Sequence, residues 1–410
     1  MAKEKSLSQV TIYVFMGLMV VTGSINTIAN KLQNLSSSLG KSYSHTWFIT
    51  FCMFFGEIFC IIAYMIQSRN QVNDPLLTDD EKNNKPSEEE LPEATPFNLI
   101  LPALCDFFGS TIMTFGLTLM AGSVYQMFRG SLILFTAFFS VIFLKNKLYR
   151  HHYLALVLVI SGLLMVGLAS ILITPEIPEK CKDPSGDSSG DQTSFWGIVL
   201  VIIAQLFSAT QFIVEERFMK NYKCAPLKAV GWEGIWGASL YLIVLIIFQF
   251  IPCDATAPIS QFTKTVCSQD DQGNWKLENT IFAFRQMGDN GLLLFFVILY
   301  VCSIALFNFV GISVTKYASS PARAVIDTVR TIFVWLFFLL PIVDECHRES
   351  FNWLQLGGFV ILVFGTVIYN EVLILPFLGF NQYTRDALKN DKGEEKESLD
   401  TIKKDKETTD

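Results

Sequence analysis

Ten stretches of mostly apolar residues alternate with polar connections along the chain. They run Leu7–Ile28, Thr46–Ile66, Pro96–Met120, Ser123–Leu144, Tyr153–Ile173, Phe195–Val214, Val230–Ile251, Leu292–Val314, Ala322–Val343 and Leu354–Leu375. Each is close to the ~20 residues that a helix needs to cross a hydrocarbon core about 30 Å thick. Lys3 and Lys5 precede the first stretch as they would in a secretory signal, but Gly23–Thr27 offers no small-x-small cleavage site and the apolar run is long, so it is read as a span. The pattern predicts an all-α polytopic membrane protein with ten transmembrane helices.

Composition agrees with that class. Of 410 residues, 51% are hydrophobic and only 17% charged, too few for an ordinary soluble domain of this length. The net charge of −7 says little about partners, because much of the acid sits in two polar strings, Asn70–Glu93 and the tail Asp386–Asp410. Both are expected to be disordered and solvated. The expected organisation is a first five-helix unit at 1–173, with an acidic loop at 67–95. A linker follows at 174–194, then a second five-helix unit at 195–375 with a cysteine-containing loop at 252–290, and a tail at 376–410.

Basic residues in short loops set the expected orientation. With the N-terminus in the cytosol, Lys145, Lys147 and Arg150 after the fourth span, Arg217, Lys220, Lys223 and Lys228 after the sixth, and Lys316 after the eighth are all cytosolic. The cysteines give an independent reading. Cys52, Cys60, Cys105 and Cys302 lie in apolar spans, and Cys224 falls on the cytosolic side. Cys181, Cys253, Cys267 and Cys346 all fall in non-cytosolic loops, which suggests two disulfides and an oxidising, secretory-route or endolysosomal compartment. Of the three pairings, joining the nearest in sequence pairs Cys253 with Cys267 and leaves Cys181 with Cys346.

The chain also repeats itself. Ala103-Leu-Cys-Asp-Phe-Phe-Gly109 parallels Ala305-Leu-Phe-Asn-Phe-Val-Gly311 at a spacing of 202, and Gln126-Met-Phe-Arg129 parallels Asp327-Thr-Val-Arg330 at 201. Five helices per unit is odd, so the second unit enters the membrane upside down relative to the first. Inverted repeats are a mark of transporters, whose substrate sites lie between the halves near the midplane. Together with Leu18–Leu32 (LMVVTGSINTIANKL), Phe54–Cys60 (FFGEIFC), Tyr125–Gly130 (YQMFRG), Ala229–Gly237 (AVGWEGIWG), Ala305–Lys316 (ALFNFVGISVTK) and Arg323–Thr331 (RAVIDTVRT), these stretches make the chain resemble the drug/metabolite transporter superfamily, and within it the solute carrier 35 family, subfamily F. The resemblance covers nearly all of the chain except the polar strings and parts of the outer loops. It implies EamA-like repeats and a lysosomal or other endomembrane transporter, and it supplies no substrate.

Polar residues inside the spans are the site candidates, since a charge at the bilayer centre costs at least ~2.5–3.5 kcal/mol. By helix rise, Asp106 lies about 15 Å in from one face and Arg129 about 9 Å in from the other. In a core of about 30 Å their depths differ by about 6 Å, which predicts an Asp106–Arg129 pair. The second unit carries Asn308, Asp327 and Arg330 at the corresponding places, with Arg323 one turn before Asp327. These residues are the expected cavity lining, with Gln126, Asn26 and Gln211 as orienting amides. Glu57 and Glu233 are candidates for proton coupling. Each has a bland reading as well: a structural ion pair, or an amide packing helices together. Glu215-Glu216-Arg217 reads as an interfacial charge cluster. His45, His151, His152 and His347 show no metal spacing, and no GxSxG, HExxH or P-loop occurs, so neither an enzyme, a cofactor, a metal site nor a nucleic-acid partner is expected. The expected activity is secondary transport of a small polar organic metabolite by alternating access. Nucleotide-sugar transport is the alternative within the class. A non-transporting scaffold that binds protein partners through its tail is the alternative outside it.

Overall fold

The computed structural model describes residues 9–43, 45–72, 92–118, 128–172, 195–253, 267–269, 274–340 and 351–376, with 379–380, 383–384 and 387 beyond them. Gln126, Cys181, Cys346, His347, the linker at 174–194 and most of both polar strings lie outside the described residues.

The described residues are mostly helical. In order, the long elements are α1 (Gln9–Leu35), α2 (Thr46–Val72), α3 (Ile100–Thr118), α4 (Leu132–Leu144), α5 (Arg150–Leu172), α6 (Phe195–Asn221), α7 (Pro226–Phe248), the short α8 (Thr280–Asp289), α9 (Gly291–Tyr317), α10 (Ser320–Leu339) and α11 (Trp353–Tyr369). Among the described residues, six helices are long and apolar enough to cross a membrane: Val10–Leu35, Thr46–Arg69, Pro96–Gly116, Trp196–Asn221, Pro226–Phe248 and Gly291–Tyr317. Shorter apolar helices occur at Leu132–Leu144, Arg150–Val166 and Trp353–Tyr369. Large apolar side chains stay exposed along outward stripes, such as Val14, Leu18, Val21 and Ile25 on α1 and Tyr153, Val157, Leu164 and Leu168 on α5. Such stripes suit a lipid solvent, in which a helix satisfies most of its backbone groups within itself. The protein is a multi-pass membrane protein.

Local chemistry sets the helix ends. Pro226 opens α7 after an extended Ala225, where its missing N–H costs nothing. Ser319 caps α10 by accepting from Ala322 N at 3.3 Å. Asn279, Asn290 and Asn352 cap α8, α9 and α11 in the same way, with bonds to Phe282 N, Leu292 N and Leu354 N at 3.1, 3.0 and 2.8 Å. Lys145 ends α4 in the left-handed region at φ 54°.

Several helices run past the ends of the apolar stretches. α1 continues to Leu35 because its polar last turns find partners: Gln33 Nε2 donates to Phe296 O at 3.0 Å, and Lys31 Nζ lies 4.5 Å over the Phe338 ring. The first polar string is helical to Val72, and near its other end Lys223 N donates to Pro92 O at 3.1 Å. The tail expected from 376 is partly placed, since Tyr383 stacks on Tyr149 at 5.2 Å.

Helices pack across the chain more than along it. α1 lies chiefly on α9, α2 on α7, α3 on α6, and α5 on α11. One buried core joins α1, α2, α7 and α9 around Phe54, Tyr241, Leu293 and Val314. A second joins α4, α5, α10 and α11 around Ile133, Val159, Val325 and Leu362. A disulfide links Cys253 to Cys267, as expected. An antiparallel pair, β1 (Ser37–Ser38) with β2 (Lys41–Ser42), follows α1; a second, β3 (Ser268–Gln269) with β4 (Trp275–Lys276), precedes α8.

The α5–α11 contact is backbone on backbone. A Cβ on Gly162 would lie 2.6 Å from Gly358 O and 2.8 Å from Leu362 N. Small residues at membrane helix crossings permit this approach. Gly162→Val is expected to cost about 1–3 kcal/mol by overpacking, seen as a lower unfolding midpoint of the purified protein in detergent. Gly357→Val, whose Cβ would meet only Met165 Cε at 3.7 Å, is expected to leave that midpoint unchanged. Equal midpoints for the two variants would contradict the close crossing.

Candidate functional site

α10 organises the polar interior. Arg323, Asp327 and Arg330 recur at i, i+4 and i+7, so they share one face. Arg323 and Arg330 are separated by about 10 Å along the axis. Each end of this face meets a different cluster.

The first cluster gathers acid from four helices. Glu57 on α2, Asp106 on α3, Glu215 on α6 and Glu233 on α7 share one electrostatic neighbourhood with Arg323. Arg323 Nη1 donates to Glu215 Oε2, and to Thr315 Oγ1 at 3.4 Å; its guanidinium lies 3.8 Å over the Phe212 ring. Gly311 makes the space, since a Cβ there would lie 2.8 Å from Arg323 Nε. Asn308 Nδ2 donates to Glu57 Oε1. Ser110 Oγ donates to Asp106 Oδ1 at 2.7 Å, and Gln211 stands within hydrogen-bonding reach of Asp106 and Glu215. Among the described residues, Glu57 Oε2, Glu215 Oε1 and Glu233 Oε1 are buried with no hydrogen-bond partner. Four carboxylates thus face one guanidinium.

The second cluster lies around Asp327. Arg129, from the turn before α4, donates from Nη2 to Asp327 Oδ2 at 3.3 Å. Arg330 Nη1 stands 3.3 Å from Asp327 Oδ1, at ion-pair distance without hydrogen-bond geometry, and its guanidinium lies 5.0 Å over the Phe307 ring. A small pocket opens here, lined by these three ionic residues with Gly130, Leu132, Leu163, Thr328 and Thr331. Two guanidiniums flank one carboxylate, the reverse of the first cluster's balance.

The structure separates the expected Asp106–Arg129 pair. Helix rise gives depth and not azimuth, so it could not tell that Arg129 would meet Asp327 and Asp106 would meet Ser110. Arg323 likewise pairs with Glu215 on α6 and not with Asp327. Glu215 and Glu216 are no interfacial cluster: both are buried, and Glu216 accepts from Ser320 N at 2.6 Å, Lys220 Nζ at 2.6 Å and Asn146 Nδ2 at 3.2 Å. The position of Glu215 one turn after Gln211 on the same face was the available signal. Asn26 is buried on α1, and its Oδ1 has no hydrogen-bond partner among the described residues. Outside the helices, burial pushes the Cys224 thiol up to about 11 although Lys228 and Lys316 oppose it, so this cysteine stays protonated at neutral pH.

A third polar network, far from these in sequence terms, closes the end of the bundle that carries α8. His45 Nδ1 lies 2.6 Å from Glu278 Oε1 and its Nε2 3.0 Å from Gln286 Oε1. Gln286 Nε2 donates to Ser38 O at 3.1 Å and to Lys41 O at 3.4 Å. The β1–β2 turn, the start of α2 and α8 are thereby joined.

The comparisons with known proteins agree with this architecture. The model of the EamA-like transporter family matches residues 10–168. Solute carrier family 35 member F6 of Rattus norvegicus is 35% identical over 364 residues, 86% of this chain and 87% of its own. The Homo sapiens protein of the same name is 34% identical over 373 residues, covering 88% and 89%. The chloroquine resistance transporter of Toxoplasma gondii is 20% identical over 299 residues, 68% of this chain and 31% of its own length. With identity above 30% sustained along most of both partners, this chain belongs to the solute carrier 35 family of EamA-like membrane proteins, beside its member F6.

Proposed function

We propose that the protein is a secondary transporter of a small polar organic metabolite that is cationic or zwitterionic, working by alternating access with proton exchange at Glu57 and Glu233. The observation that carries this reading is the surplus of buried acid. Across both clusters Arg129, Arg323 and Arg330 stand against Glu57, Asp106, Glu215, Glu233 and Asp327, three positive groups to five negative. A buried charge without a partner is costly, so protons or a cationic group would offset the excess. A nucleotide sugar would need the opposite balance, because its phosphates call for a surplus of guanidinium and ammonium groups.

In this reading ten spans form two inverted five-helix halves, and rocking of one set of helices against the other exposes the clusters to each side in turn. The pairing of α1 with α9, α2 with α7, α3 with α6 and α5 with α11 supports it, as does the placement of both clusters where helices from the two halves meet. The basic connections at 145–150 and 217–228 support cytosolic termini, and the Cys253–Cys267 disulfide supports a secretory-route or lysosomal membrane.

The test is uptake by proteoliposomes under an inward-acid pH gradient, over a panel of amino acids, small cationic metabolites and nucleotide sugars. Gradient-driven uptake of a cation or zwitterion is expected, reduced to background by Asp327→Asn while the protein remains monodisperse. Uptake of a nucleotide sugar would overturn the charge argument. Sealed, correctly oriented vesicles that carry nothing would favour a scaffold acting through the tail.

A further inference from the structure

The first turn of α5 carries His151 and His152, and Glu371 lies just past the last turn of α11. The structure brings these distant positions together. His151 Nε2 is 3.3 Å from Glu371 Oε1, and one donor atom from each of the three residues lies within 4.8 Å of the other two. All three are nearly buried, at 4%, 9% and 9% exposure for His151, His152 and the Glu371 side chain. Tyrosine rings wall the group: Tyr149 lies parallel to His151 at 6.2 Å, and Tyr369 stands edge-on to His152 at 5.0 Å. Tyr383 covers Tyr149 in turn.

Glu371 has a φ of 58°. A residue with a Cβ enters this left-handed region at a cost, and it stays there only when its surroundings hold it. Here the conformation accompanies a turn of the chain that brings the carboxylate back to the start of α5.

We propose that His151, His152 and Glu371 bind a divalent first-row transition cation, with Zn²⁺ as the test ion. Two imidazoles and one carboxylate form a donor set that zinc takes with a fourth position left for water. Ligands on bonds of about 2.1 Å in a tetrahedral shell stand about 3.4 Å apart, and His151 and Glu371 are already at 3.3 Å. The ring nitrogen of His152 has at most about 1.4 Å to close from 4.8 Å, within the range of a small χ rotation. If Nδ1 is the entering atom, the ion replaces the long hydrogen bond, 3.3 Å, that Nδ1 accepts from Tyr149 N. Mg²⁺ and Ca²⁺ prefer oxygen shells and are excluded by two nitrogen donors. The bound ion would clamp the start of α5 to the end of α11.

The experiment uses the full-length protein purified in detergent. Isothermal titration is expected to give one Zn²⁺ per chain with no heat for Mg²⁺. Co²⁺ is expected to give the visible d–d bands of a four-coordinate site. In the unaltered protein, Zn²⁺ is expected to shield His151 and His152 from acylation by diethylpyrocarbonate, read by mass spectrometry. Glu371→Gln is expected to weaken Zn²⁺ binding at least about tenfold, in line with the sensitivity of metal sites to their supporting groups, and the His151→Asn, His152→Asn double variant to abolish it. No Zn²⁺ heat with the unaltered protein, no shielding of these two histidines, or undiminished binding by the double variant would each overturn the proposal. Should the variants fail to fold, the shielding measurement on the unaltered protein decides alone.

Discussion

Replacing Arg323 with Met lowers the stability of the purified protein by about 3–5 kcal/mol, the usual cost of removing one partner from a buried ion pair. The side chains of Arg323 and Glu215 are 3% and 1% exposed, so neither is screened by solvent. Without the guanidinium, Glu215 keeps Gln211 within reach, and among the described residues a fourth carboxylate joins Glu57, Asp106 and Glu233 without the cation it faced. The stacking of Arg323 over Phe212 is lost as well. The measurement is the unfolding midpoint in detergent. The double variant Arg323→Met, Glu215→Met is expected to recover most of the loss, because an apolar pair of similar volume can replace a buried ion pair at little cost. A single variant as stable as the parent protein would show that Glu215 does not depend on Arg323.

At the other end of the bundle, His45→Ala is expected to cost about 2–5 kcal/mol, since it removes the hydrogen-bond partner of two buried groups at about 1–3 kcal/mol each. The amide of Gln286 is oriented by two carbonyls, Ser38 O and Lys41 O, which leaves its oxygen facing His45 Nε2. Glu278 receives Asn279 N at 2.8 Å on one oxygen and Phe48 N at 3.3 Å on the other, so it acts as an acceptor throughout. His45 therefore lies between a carboxylate oxygen at Nδ1 and an amide oxygen at Nε2. Its removal leaves a buried carboxylate and a buried amide oxygen unmatched. Hydrogen exchange is expected to rise first in the β1–β2 turn, the start of α2 and α8, which meet at this point. Protection unchanged in these segments would rule out the network as their clasp.

Helical segments were legible because apolar length is a local property. Each apolar stretch contains a helix in the described residues, six of these helices are long and apolar enough to cross a membrane, and the helix ends differ most from the sequence reading. α1 and α6 run seven residues beyond their apolar runs, where Gln33 and the glutamates at 215 and 216 find partners inside the protein. The site was legible only as a roster. Arg129, Asp327 and Arg330 do meet, and so do Asp106, Gln211, Asn308, Glu57 and Glu233, yet the pairing of Asp106 with Arg129 failed. Residue type and depth are written in one helix, but the neighbour is decided by how several helices pack. His45 with Glu278 and His151 with Glu371 were invisible for the same reason, since they are separated by 233 and 220 positions.

The cross-chain pairing of helices has a consequence for biosynthesis. When a ribosome has delivered α5, the bilayer holds α1, α2, α3 and α5 without their main partners α9, α7, α6 and α11. Contacts so distant in sequence are slow to form. The early helices, with Glu57 and Asp106 already inserted, must wait for the rest of the chain before their polar groups are shielded. A message truncated after α5 would thus yield a membrane-inserted but unassembled product, a natural target for quality control.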